Sequence, residues 1–137
     1  MVSCSSSETE PPKPTANIEF EIDTLPLSID YYEYEDYWYY SIYIVIYEKA
    51  GVGVNISVVT SEWFEGTNRV ASMTDEGVRV PASGSESVYL YGEFPGRYQP
   101  DTFRITISGR DDNGHSIEKS HSYAITWDAS MKVAKAG

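Results

Sequence analysis

From Tyr37 to Tyr47 the chain alternates without a break. Trp38, Tyr40, Ile42, Ile44 and Ile46 share one parity; Tyr37, Tyr39, Ser41, Tyr43, Val45 and Tyr47 share the other. Period two over that length is the pattern of an extended strand whose side chains leave on opposite faces. Its β-branched and aromatic residues disfavour a helix. The first parity suits a core, while the second would show water a row of phenols. The surrounding stretch from Tyr31 to Lys49 holds eight of the twelve tyrosines. A core takes few tyrosines, because each buried hydroxyl needs a partner. A surface takes few, because exposed aromatic patches are adhesive. The segment therefore predicts a strand and raises a question about binding.

The same period recurs along the chain. Ile18, Phe20 and Ile22 alternate with Glu19 and Glu21, and Val54, Ile56 and Val58 with Asn55, Ser57 and Val59. Val78 and Val80 make a short candidate strand ended by Pro81. Val88 and Leu90 oppose Tyr89 and Tyr91, and Phe103, Ile105 and Ile107 oppose Arg104, Thr106 and Ser108. A last strand is expected over about Ser116 to Trp127, with Tyr123 and Ile125 pointing inward. Gly51 and Gly53, Gly66 and Asn68, and Phe94-Pro95-Gly96 read as turns. In Asp111-Asp112-Asn113-Gly114 the Asn-Gly pair suits a type I′ hairpin. Trp63 to Gly77 is less regular. About seven strands, no amphipathic helix and no repeat predict an all-β antiparallel sandwich over residues 17–128. Residues 1–16 read as a flexible Ser/Pro-rich tether and 129–137 as a C-terminal tail without pattern.

Charge narrows the partners. Lys+Arg 10 against Asp+Glu 21 gives a net charge of −11. Phosphate backbones are repelled by such a surface, so nucleic acid is excluded as an expected partner. A monomer is expected, kept soluble by its charge. No run of 18 apolar residues is present to span a membrane as a helix.

Two segments carry resemblances. Gly96-Arg97-Tyr98, the alternating run Thr102 to Ser108 and the turn Asp111 to Gly114 are similar to the last strand pair of bacterial immunoglobulin-like domains. Glu48 to Val54 resembles a strand connection of the same domains. This resemblance implies an immunoglobulin-like sandwich used at the cell surface as a spacer or recognition module. Separately, Met1-Val2-Ser3-Cys4, followed by Ser5 to Pro14, resembles the start of a mature bacterial lipoprotein. That implies a lipidated Cys4, a cell-envelope or extracellular location, and membrane contact only through the lipid. Without that resemblance Cys4 reads as a lone thiol on a flexible arm.

Catalytic patterns are missing. His115 and His121 are the two histidines, one beside a turn and one mid-strand, and no Gly-x-Ser-x-Gly elbow accompanies them. Two histidines without a nearby cysteine fall short of a zinc site. Asp111-Asp112-Asn113 and Glu33, Glu35, Asp36 are oxygen-rich, but neither follows a calcium-loop pattern. No enzyme activity, metal or cofactor is expected. The candidate ligand residues are Tyr37, Tyr39, Tyr43, Tyr47, Tyr89 and Tyr91, with Trp63 at a possible loop tip. The expected role is adhesion, protein interaction or spacing, with a surface protein or a neutral glycan as partner. Aromatic faces stack on sugar rings and carboxylates accept their hydroxyls, which makes a carbohydrate-binding domain the alternative. Cross-strand sheet packing by itself also accounts for paired tyrosines.

Overall fold

Every segment with the alternating pattern is a strand, and three segments without it are strands too. The computed structural model describes residues 12–23, 28–128 and 133–136. Its ten strands are β1 (Ile18–Ile22), β2 (Ser28–Tyr32), β3 (Tyr37–Glu48), β4 (Val54–Glu65), β5 (Asn68–Glu76), β6 (Arg79–Val80), β7 (Ser85–Pro95), β8 (Thr102–Asp111), β9 (Ser116–Asp128) and β10 (Val133–Ala136). The pattern predicts about seven; β2, β5 and β10 are additional. β10 pairs with β9, so part of the expected C-terminal tail belongs to a sheet. Cys4 and most of the expected tether lie outside the described residues.

The strands form two antiparallel sheets packed face to face. In the first, β3 is central. β7 pairs along nearly all of it, from Tyr37↔Pro95 to Tyr47↔Ser85. β1 and β2 therefore share its other edge, β1 opposite residues 44–48 and β2 opposite residues 37–41. The second sheet runs β10-β9-β8-β4-β5, with β6 continuing the β5 edge of β4. Between the sheets lie Ile42, Ile44, Ile46 and Leu90 from one side and Val54, Val59, Ile105 and Ile107 from the other, all fully buried. Rings lock the two layers: Trp38 stands 4.7 Å from Trp127, and Tyr40 5.0 Å from Trp63.

One bulge corrects the expected facing of β4. The pairing to β8 jumps from Ile56↔Gly109 to Val58↔Ser108, leaving Ser57 as the extra residue. A single inserted residue exchanges the two faces beyond it. Val59 rather than Val58 is therefore buried, and so are Ser61 and Trp63. The β8–β9 hairpin forms where expected, but not as a two-residue I′ turn. Only Gly114 has a positive φ, at 86°, and the Asp111 carboxylate holds the turn by accepting the Asn113 and His115 amides.

Two carboxylates are built into the frame. Glu48 closes the inner face of β3 and is 3% exposed. It accepts backbone N–H groups from Asn17, Ala50, Gly51, Val52 and Ser83 at 2.6–3.0 Å, tying three chain segments together. Burial alone would push its carboxyl up, but these donors outweigh it and hold the group at about 2. Asp111 accepts from Ala16 N as well as its own turn, and its carboxyl is likewise held at about 2.

Candidate functional site

The outward parity of β3 and β7 meets in register. Asp30, Tyr39 and Glu93 lie abreast on β2, β3 and β7. The next outward level pairs Ser41 with Tyr91, and the one after pairs Tyr43 with Tyr89. The rings touch across and along the strands. Tyr43 and Tyr89 are 4.8 Å apart between centroids, and Tyr89 and Tyr91 are stacked at 5.6 Å. Tyr32 meets Tyr39 edge-on at 4.8 Å, and Tyr37 lies 6.5 Å from Tyr39. Packing leaves much of this surface open: Tyr32, Tyr43, Tyr89 and Tyr91 are 54%, 47%, 45% and 57% exposed.

A cleft of ≈ 480 Å³ opens here, lined on this face by Asp30, Tyr39, Ser41, Tyr89, Tyr91 and Glu93 and reaching past Gly92 to the inward Tyr40 and to Met73 of β5. Its position follows from small residues. Ser41 interrupts the row of tyrosines on β3. Gly92, opposite Tyr40, also lines the cleft and leaves room for the Tyr40 phenol on the inner side. A Cβ at Gly92 would stand 2.6 Å from the Tyr40 hydroxyl oxygen.

Carboxylates rim the face. Tyr39 donates its hydroxyl to Glu35 and Tyr47 to Glu21 at 3.0 Å, while Tyr31, on the inner parity beside Trp38, donates to Asp36. The bond to Glu35 pushes the Tyr39 phenol well above its usual range, with desolvation and the nearby Glu93 adding to it. The Tyr31 and Tyr47 phenols are raised first by their own carboxylate bonds. These phenols therefore stay neutral far beyond physiological pH. At one end Lys49 Nζ lies 5.3 Å from the centre of the Tyr47 ring and 3.9 Å from Glu19 Oε2.

The six tyrosines expected to bind, Tyr37, Tyr39, Tyr43, Tyr47, Tyr89 and Tyr91, fall on this one sheet. Trp63 does not. It is no loop tip but a residue of β4, 0% exposed, stacked on Phe103 at 4.2 Å. The Ser57 bulge turns it inward. Asp30, Tyr32 and Glu93 join the site without having been singled out in the sequence. Glu93 continues the Tyr89, Tyr91 parity, a signal open to reading, whereas Asp30 and Tyr32 depend on recognising β2. Of the histidines, His115 packs its Nδ1 3.1 Å from Asp111, and His121 meets Tyr123 edge-on at 4.5 Å. Asp112 is engaged by Arg79 at 2.8 Å. Among the described residues no group of three His, Cys, Asp or Glu is arranged to hold a metal.

No family model and no curated protein matches the chain. Solved structures do. A protein from Bordetella pertussis designated ApaA is similar over 82% of this chain and 97% of its own, with a TM-score of 0.57 at 13% identity. The structural-genomics target SoR45 is similar over 79% of this chain and 85% of its own, with a TM-score of 0.51 at 7% identity. At such identities the likeness is one of fold.

Proposed function

We propose that this domain is a non-catalytic recognition module that engages its partner through the tyrosine face of β3 and β7. The observation that carries this reading is the register: it turns tyrosines scattered from Tyr37 to Tyr91 into one exposed, rimmed surface with a cleft. Monomeric domains seldom leave such patches without a use, and tyrosine is enriched where proteins meet. The proposal includes an immunoglobulin-like sandwich carried at the cell envelope on its N-terminal segment, with Cys4 as the lipidated residue. Support for that part comes from the resemblance of Met1 to Pro14 to a lipoprotein start.

A second reading is carbohydrate binding, favoured by the cleft with its stacked Tyr89 and Tyr91 rings beside the acceptors Asp30 and Glu93. One experiment serves both readings. Arrays of glycans and of peptides are probed with the domain and with a folded Tyr43→Ser/Tyr89→Ser/Tyr91→Ser variant. Ligands lost only in the variant support recognition by this face, and their chemistry chooses between peptide and sugar. Ligands retained by the variant, or none on either array, would leave the tyrosines as sheet packing and the domain as a spacer.

A further inference from the structure

We infer that the partner presents a cationic protein segment, an extended stretch bearing lysine or arginine side chains, to the tyrosine face. The inference rests on the recognition reading above and names the chemistry of its partner. None of the outward positions of β1, β2, β3 and β7 is Lys or Arg, while Glu19, Glu21, Asp30 and Glu93 lie among them. Electron-rich ring faces bordered by carboxylates are what a cation prefers: the ring quadrupole attracts it and the carboxylate neutralises it. Lys49 already shows this arrangement within the chain, its ammonium over Tyr47 and beside Glu19. The same pairing of ring and carboxylate recurs at Tyr91 and Tyr39, flanked by Glu93 and Asp30, with no cation placed over either ring among the described residues. Tyr39 and Tyr47 spend their hydroxyls on Glu35 and Glu21. What they offer a partner is the ring face, whose quadrupole attracts a cation. The net charge of −11 steers a basic segment toward the domain. From Tyr39 to Tyr47 the face is about 27 Å long, the span of an extended peptide of about eight residues.

The test uses labelled peptides of about eight residues in which Ser alternates with Lys, Arg or, as the uncharged control, Gln. Binding is read by fluorescence anisotropy at low salt and at about 300 mM salt. Three folded variants accompany the native domain: Tyr43→Leu/Tyr89→Leu/Tyr91→Leu, Asp30→Asn/Glu93→Gln, and Glu76→Gln/Glu118→Gln. The last removes two exposed carboxylates of the other sheet and so matches the second in net charge. The native domain is expected to bind the Lys and Arg peptides, not the Gln peptide, and more weakly at high salt. Both face variants should lose about tenfold in affinity, and the charge-matched control less than about twofold. Should the triple tyrosine variant fail to fold, Tyr91→Leu alone is read in its place. Equal loss in the control would mean attraction to net charge only and would overturn the inference. So would absence of binding at low salt, or equal binding of the Gln peptide. If the array ligands are lost in the tyrosine variant while basic peptides fail to bind, this inference falls and the recognition reading stands.

Discussion

The two faces of β3 carry similar residues to opposite ends. On the inner face Trp38 and Tyr40 are 4% exposed, packed among rings of the second sheet, and the row ends in the buried carboxylate of Glu48. On the outer face Tyr43 is 47% exposed, and the carboxylates beside its row accept phenol hydroxyls or face solvent. Inside, each ring is held by neighbours and Glu48 by five amides, so a change there disturbs the fold. Outside, rings touch one another but are not enclosed, so a change there should disturb recognition. On the proposed reading one strand joins stability and binding, and alternation keeps the two apart.

The largest effect that would test this division is on the inner side. Trp63→Ala should cost about 4 kcal/mol, measured by urea unfolding, because a fully buried ring stacked on Phe103 leaves a cavity. A loss as small as that of an exposed tyrosine would break the comparison. Glu48→Gln comes next, at about 3 kcal/mol, since one oxygen becomes a donor facing backbone donors that cannot move away.

Acid should expose the same dependence without mutation. Glu48 is lowered from 4.5 to about 2 and Asp111 from 3.8 to about 2. A depressed carboxyl stabilises the fold fully above its unfolded value and ceases to as pH falls through its folded one. Stability should therefore decline from about pH 4.5 toward pH 2, and Glu48→Gln should flatten that slope. An unchanged slope in the variant would assign acid sensitivity to other groups.

On the outer side the effects shrink. Tyr43→Ala or Tyr89→Ala should each cost less than about 1 kcal/mol, the worth of one cross-strand aromatic pair. Smallest of all, Asp30→Asn/Glu93→Gln should leave the unfolding midpoint in place while changing what the face binds. A large drop in midpoint for either set would turn the outer face into a structural element.

Local pattern suffices for much of this protein. Alternation marks β1, β3, β7, β8 and β9 and assigns the parity of Tyr37 to Tyr47 and of Tyr89 and Tyr91, because in a strand the side-chain period depends on the backbone alone. Turn chemistry places the β8–β9 hairpin at Gly114. The remainder is decided by contacts between residues far apart in sequence. That Tyr43 faces Tyr89, and that Asp30, Tyr39 and Glu93 stand abreast, depends on which strands pair and in what register. The fate of Trp63 depends on one extra residue at Ser57, a shift of phase that no local pattern announces. Glu48 looks like any exposed glutamate until Asn17 and Ser83 arrive with their amides. The sequence by itself determined strands and their parities, since those need only neighbouring residues. Tertiary structure alone decided which parities meet, because pairing, bulges and buried charges are resolved only when distant backbones compete for the same hydrogen bonds.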